Sequence, residues 1–381
     1  MSTDMVIAAT SDSVPLPSLT INGFRAIRHL SLPDLARVNL FVGRNNAGKT
    51  SLLEAIRLYL YRNKSQLPAV LFEIVRSRSD YRPPPFSVGR RNIEPDAQNL
   101  QAAADAVESL FYGSFEHHSF APIELAPDRM PSAGLTLSLP WQREVPAPVG
   151  SEWLSEKDGF FAPDSPLIDL RSEEHHTVVP FDWFVHRVAL PRTSRSNPAL
   201  MIGAGGLDAV RMREMWDSVA IAGHVELVED AVRTVVPDLK RVLLVGESGR
   251  RSILFKLSSA TRPVPIQSMG DGVNRVFGIA LALVLSRGGA LLLDEVENGL
   301  HHSIQDAVWE ATFSLAERFD VQVFATTHSW DAVVGFQHAA MQSQAEGMLY
   351  RLERESNGRI YAERYTEDET AIATEQQIEV R

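Results

Sequence analysis

Residues Gly43-Arg44-Asn45-Asn46-Ala47-Gly48-Lys49-Thr50 match the pattern G-x-x-x-x-G-K-[ST] at every position, and an apolar run, Val38–Val42, leads into them. A helix is predicted to follow, because the apolar residues from Ser51 to about Tyr61 recur at helical spacing. Strand, glycine loop and helix in that order are what phosphate binding requires. The glycines let the backbone curl so that successive N–H groups point at a β-phosphate, and the helix turns its positive end to the same anion. Lys49 is expected to reach the β- and γ-phosphates, and Thr50 to hold Mg²⁺. The motif therefore predicts a bound nucleoside triphosphate, with Gly43, Asn45, Asn46, Ala47, Gly48, Lys49, Thr50 and Ser51 around its phosphates.

A chain of 381 residues with 44% hydrophobic content can bury a substantial core and is neither disordered nor fibrous. The longest apolar run, 276–286, lies between Arg275 and Arg287 and is too short to span a bilayer, so no membrane association is expected. The first sixteen residues lack the basic and apolar features of a secretory signal and are expected to form a mobile leader, with the protein in the cytoplasm. The absence of cysteine excludes disulfides and thiolate metal sites. A net charge of −11 disfavours wrapping by nucleic acid over the whole surface, while a local basic patch stays open.

Strands are predicted at 19–21 and 38–42, and then an Arg- and Pro-rich loop from Gln66 runs into an Ala-rich helix over 96–111. Short alternating runs at 123–125, 135–139 and 178–185 suggest an antiparallel β layer. Helices over 206–220 and 225–236 and a hairpin over 241–257 follow. From Gln267 the pattern alternates: helix 272–286, buried strand 290–294, helix 301–319, buried strand 321–326, helix 329–340, then strands 347–353 and 359–365. The expected fold class is α/β: a mostly parallel sheet flanked by helices, with the antiparallel layer and a helical insertion at about 66–116 splitting one domain that begins near residue 17.

The buried strand Leu291-Leu292-Leu293 ends in Asp294-Glu295. Upstream phosphate binding gives that pair a role: Asp294 to hold Mg²⁺ and Glu295 to orient and deprotonate the attacking water. Gln267-Ser268-Met269-Gly270-Asp271-Gly272 precedes a helix, so the Ser268 hydroxyl and the N–H groups at Gly270 form a second anion site at a helix N-terminus. Further on, Thr326-Thr327-His328-Ser329 places His328 at the carboxyl end of a buried strand, where ligands of open α/β sheets bind, and suits it to meet a γ-phosphate.

This order of elements resembles the ATP-binding-cassette type of P-loop ATPase. Within that group, Ile21-x-Gly-Phe-Arg25-x-Ile27, Ser268-Met-Gly-Asp-Gly and Asp294-Glu-Val-Glu-Asn-Gly-Leu-His301 look like the OLD, RecF and SMC branch, closest to the OLD-like AAA ATPases. The resemblance covers about residues 17–66 and 205–381. It implies an ATP-sandwiched homodimer, or a higher homo-oligomer, in which Ser268 and Gly270 of one copy cover the γ-phosphate held by Lys49 of the other. It also implies hydrolysis of ATP with Mg²⁺, with Glu295, His328 and Lys49 catalytic and Thr50 and Asp294 on the metal.

Departures set further expectations. The insertion is short and broken by prolines, so no coiled-coil arm is implied. Too few residues follow His328 for the nuclease module of many OLD proteins, so that effector is expected on a separate chain, in antiphage defence or DNA surveillance. A RecF-like DNA-repair ATPase is the alternative, and a transporter subunit is weaker still. A GTPase is disfavoured, because no Asn-Lys-x-Asp motif occurs. The His pairs at 117/118, 175/176 and 301/302 suit an interface better than zinc, since neighbours in a strand point to opposite faces. The cluster Arg76, Arg78, Arg82, Arg90 and Arg91, with Tyr81 and Phe86, reads equally as a nucleic-acid stripe, a solvated loop or a docking surface, and Arg187, Arg192 and Arg195 carry similar weight.

Overall fold

The computed structural model describes residues 14–77, 97–113, 120–128, 130–139, 167–180, 184, 198–246, 251–366 and 369–370. Along the chain, strands β1 (Leu19–Phe24), β2 (Ile27–Leu32) and β3 (Val38–Val42) lead into helix α1 (Lys49–Leu60). Helices α2 (Leu67–Ser77) and α3 (Ala97–Glu108) precede β4 (Ile123–Ala126), β5 (Leu135–Ser138), β6 (Leu167–Ser172), β7 (His176–Pro180) and β8 (Ala199–Ile202). Then come α4 (Ala209–Ile221), α5 (Val225–Arg233), β9 (Leu239–Val245), β10 (Ser252–Leu257) and β11 (Val264–Pro265). The remainder alternates through α6 (Asp271–Leu285), β12 (Ala290–Leu293), α7 (Gln305–Arg318), β13 (Gln322–Thr327), α8 (Trp330–Gln342), β14 (Gly347–Arg354) and β15 (Ile360–Tyr365).

Two six-stranded sheets carry the structure. In the first the order is β15-β14-β3-β13-β12-β8, with every neighbour parallel except β15 on β14. The second, β2-β1-β4-β5-β6-β7, is antiparallel throughout. The expected α/β class and antiparallel layer are thus present, and a small antiparallel sheet, β11-β10-β9, completes the set.

The pleat explains the layering. Val38, Leu40 and Val42 of β3 join a core shared with α4 to α8, whereas Phe41 points the other way into a core shared with α1, α2 and the antiparallel sheet. Helix α1 is therefore buried between the two sheets, with Leu52, Leu53 and Ile56 fully covered. Asn39, a polar residue at the centre of the parallel sheet, is satisfied by the N–H and C=O of Ala36 and the C=O of Val323. Among the described residues no helix is long and apolar enough to cross a membrane.

Several expectations are corrected. The last residue of the expected leader, Leu16, is buried, and both its backbone groups bond the side-chain amide of Gln322. Residues 67–77 form a helix rather than a loop: Leu67, Val70, Leu71, Ile74 and Val75 make an apolar stripe, and Pro68 sits in the first turn, where its missing N–H costs nothing. Between the strands expected at 19–21 and 38–42 lies a further strand, β2, which pairs with β1 as a hairpin with Arg25 at φ 53° at its tip. The helix expected from His301 begins at Gln305, after a 3₁₀ turn at His302–Ile304. Arg78, Tyr81, Arg82, Phe86, Arg90, Arg91, His117, His118, Arg187, Arg192, Arg195 and the tip of the hairpin between β9 and β10 lie outside the described residues.

Candidate nucleotide site

The loop between β3 and α1 turns back on itself through Gly43 at φ 153°, Asn46 at φ 68° and Gly48 at φ 93°. Two of these positions also lack room for a side chain. A Cβ on Gly43 would lie 2.4 Å from the carbonyl oxygen of Leu352, and one on Gly48 would lie 2.9 Å from Ile360 Cδ1. The loop is thus seated against β14 and β15 by contacts that only glycine permits. Arg44, Asn45 and Asn46 face solvent, whereas Ala47 and Ser51 are buried beneath them.

Lys49 folds back into this loop. Its Nζ donates to the carbonyl oxygens of Gly43 at 2.6 Å and Arg44 at 3.1 Å. Burial holds the ammonium below the ordinary lysine value, and the carboxylates of Glu297, Glu295 and Asp294, in that order, pull it upward. A buried ammonium bonded only to neutral carbonyls has its strongest partner still to gain, and phosphate oxygens supply one.

A chain of hydroxyls and carboxylates joins the loop to the acidic strand end. Thr50 Oγ1 donates to Asp294 Oδ2 at 3.0 Å, Thr326 Oγ1 donates to Asp294 Oδ1 at 2.6 Å, and the Glu295 N–H donates to Thr326 Oγ1 at 2.9 Å. Three strands that are neighbours in one sheet thus place Thr50, Asp294 and Thr326 side by side. The donor set fits Mg²⁺, which takes hard oxygen ligands and keeps most of its shell for water and phosphate. Glu295 adopts φ 48°, and Asn298 Nδ2 donates to its Oε2 at 2.6 Å. This chain is a P-loop ATPase.

Family models agree. Residues 157–335 match the family described as "AAA domain, putative AbiEii toxin, Type IV TA system", and residues 18–80 match an AAA domain. An "ATP/GTP phosphatase" of Helicobacter pylori is 23% identical over 337 residues, covering 84% of this chain and 86% of that one. A protein of Methanocaldococcus jannaschii, MJECL10, is 44% identical over 45 residues, 12% of this chain and 20% of that one. Among solved structures, an SMC head bound to the C-terminal winged-helix domain of ScpA has TM-score 0.49 at 10% identity, covering 92% of this chain and 97% of that one. The SMC head domain of Thermotoga maritima has TM-score 0.44 at 12% identity, covering 92% and 98%.

Within the ATPase the remaining expected site residues fall into two groups. His328 sits directly after β13 with a half-exposed ring, close to the acidic end of β12. Ser268 and Gly270 stand exposed on a separate 3₁₀ turn, with Gly270 at φ 88° and no side-chain cap on α6, and they make none of the contacts above. His301 and His302 stack at 4.0 Å between ring centroids on the loop after β12, and His301 accepts from the Ser303 N–H.

Three residues of the site escaped the sequence reading. Arg275, on α6, donates to the carbonyl oxygens of Gly203, Asp294 and Glu295, tying the helix behind Ser268 to the acidic strand end. Burial lowers its guanidinium value, against the pull of Glu297, Asp294 and Glu295. Thr326 bridges Asp294 and Glu295, and Glu297 bonds His328. The only sequence signal for Glu297 is its place two residues past Glu295, and Arg275 had only its charge inside an apolar helix.

Proposed function

We propose that the ATPase is an OLD-like switch whose two copies close on ATP and Mg²⁺ and whose hydrolysis controls a separately encoded effector, a nuclease in antiphage defence or DNA surveillance. The observation that carries the reading is the bonded chain Thr50–Asp294–Thr326–Glu295, which presents a metal-binding oxygen pair and a carboxylate beside the phosphate loop. Lys49 and the loop N–H groups bind the β- and γ-phosphates, and Thr50 and Asp294 hold Mg²⁺, which would neutralise phosphate charge. Glu295 orients a water and takes its proton as the water oxygen bonds the γ-phosphorus. The bond to the bridging oxygen breaks, leaving ADP and phosphate, with His328 against the γ-phosphate. A second copy supplies its Ser268–Gly270 turn at the open side, where the positive end of α6 meets the same anion.

The domain reading joins this proposal: one cytoplasmic ATPase domain from about residue 17, interrupted by the insertion at about 66–116. The name of the Helicobacter relative extends the substrate question to GTP, and the toxin–antitoxin description of the family agrees with a defence setting. The test is light scattering on Glu295→Gln, which should shift from monomer to dimer on adding ATP and Mg²⁺. A chain that stays monomeric with ATP bound would remove the sandwich. Tight, salt-sensitive binding of duplex DNA by the chain alone would move the reading to a RecF-like repair factor.

A further inference from the structure

Glu297 touches a single residue twice, once through a hydrogen bond and once against its ring. Its Oε1 accepts from the backbone N–H of His328 at 2.8 Å and lies 2.9 Å from the ring Nδ1 of the same residue. The carboxylate is only 9% exposed, and its Oε2 is buried without a hydrogen-bond partner among the described residues. A carboxylate so withdrawn is costly unless nearby charge offsets it. Lys49 and Arg275 supply that charge: among the carboxylates Glu297 acts most strongly on both.

The contact also decides how His328 faces. An Nδ1 held against a carboxylate carries the ring proton on that side, which leaves Nε2 as the atom turned away from Glu297. The His328 side chain is 46% exposed, so the ring is not sealed off from a ligand. One buried acid therefore stands by the lysine of the phosphate loop and also fixes the orientation of the histidine. In the sequence this is the second glutamate of Asp294-Glu295-Val296-Glu297, set apart from the proposed base by one residue.

We propose that Glu297 is a positioning residue for ATP hydrolysis, which holds the His328 ring with Nε2 directed to the γ-phosphate. The proposal rests on the reading of His328 as the γ-phosphate contact. A purely structural Glu297 would do no more than tie down the turn after β13 through the backbone N–H.

The test is a double-substitution cycle on the full chain, reading single-turnover ATP hydrolysis and equilibrium ATP binding separately. His328→Ala and Glu297→Ala are each expected to slow hydrolysis by roughly tenfold to a hundredfold, as loss of an orienting partner does elsewhere. Their ATP affinity should stay within about threefold of the parent. The double variant should be no slower than the slower single one, because Glu297 acts through His328. Glu297→Gln should fall between parent and Glu297→Ala, since its amide oxygen can still accept from the His328 N–H and lie against the ring. Additive losses, or an affinity loss in Glu297→Ala as large as its rate loss, would overturn the positioning role while leaving His328 in place. Parental hydrolysis in His328→Ala would overturn the reading of His328 and the positioning role with it. Should Glu297→Ala fail to fold, the same cycle with Glu297→Gln decides.

Discussion

The two turns of this ATPase that are proposed to bind anions differ sharply in how they are finished. The turn between β3 and α1 is bonded into its surroundings, with its lysine buried, its glycines pressed against β14 and β15, and its threonine joined to Asp294. The turn before α6 has none of these: Ser268 and Gly270 are exposed, and although neither helix end has a side-chain cap, only the end of α6 stands open. A helix N-terminus with open N–H groups satisfies them with water or with an anion brought to it. The first turn is thus preorganised within one copy, and the second is left open. Arg275 projects from the helix behind the open turn onto the carbonyl oxygens of Asp294 and Glu295, the acidic strand end to which Thr50 of the bonded turn donates.

The largest effect should come from the bonded turn. Lys49→Ala should abolish ATP binding, measured at equilibrium, while Glu295→Gln should keep binding and lose turnover by about a hundredfold or more, since only the group that takes the proton is removed. Unchanged turnover in Glu295→Gln would break the assignment of the base.

A mixing experiment probes the open turn. Lys49→Ala chains and Ser268→Arg chains should each be inactive alone, and their mixture should recover part of the ATPase rate, because each mixed dimer holds one site with both halves intact. A mixture that stays inactive while the chains demonstrably pair would show that the open turn does not serve a neighbouring copy.

Smaller effects sharpen the contrast. Thr326→Val removes one bond to a carboxylate and one from the Glu295 N–H, so thermal unfolding should show a loss of about 1.5–3 kcal/mol, and the Mg²⁺ concentration needed for half-maximal rate should rise. Ser268→Ala, at an exposed position with no bonded neighbour, should leave stability within about 0.5 kcal/mol of the parent. Equal destabilisation by the two substitutions would erase the distinction between the turns. The smallest change in ATPase rate is expected on charge reversal at Arg76, Arg78, Arg90 and Arg91, which should instead weaken association with a partner or nucleic acid in a salt-dependent way, read by binding at two ionic strengths.

Much of this arrangement is legible in the sequence because the chemistry forces residue types at fixed spacing. A phosphate loop needs its glycines and lysine in order, and buried parallel strands must read as apolar runs, so β3, β12 and β13 and the helices between them stand out. Short edge strands such as β8 do not: four residues of Ala-Leu-Met-Ile carry too little pattern, and pairing with β12 supplies what the local sequence lacks. Helix α2 was hidden by the Arg- and Pro-rich stretch beside it, although its apolar spacing was helical. In the site, Glu297, Arg275 and Thr326 act through contacts between residues far apart in the chain, and no local motif marks such pairs.

Arg25 has a mechanical consequence. It holds the tip of the β1–β2 hairpin in a left-handed conformation, at a cost of about 1–2 kcal/mol for a residue with a side chain. Its guanidinium pairs with Glu54 of α1 at 2.7 Å and reaches the carbonyl oxygen of Ile74 near the end of α2. Its own N–H bonds Leu110 just past α3, where Tyr112 also bonds Gly23. Ile74 of α2 and Leu110 beyond α3 are consequently both fastened to one residue, the first by its guanidinium and the second by its backbone N–H, and that guanidinium is paired with the helix whose first turn carries Lys49. A displacement of that helix would therefore be felt at Ile74 and Leu110 through this one residue, as a crank carries the motion of a piston.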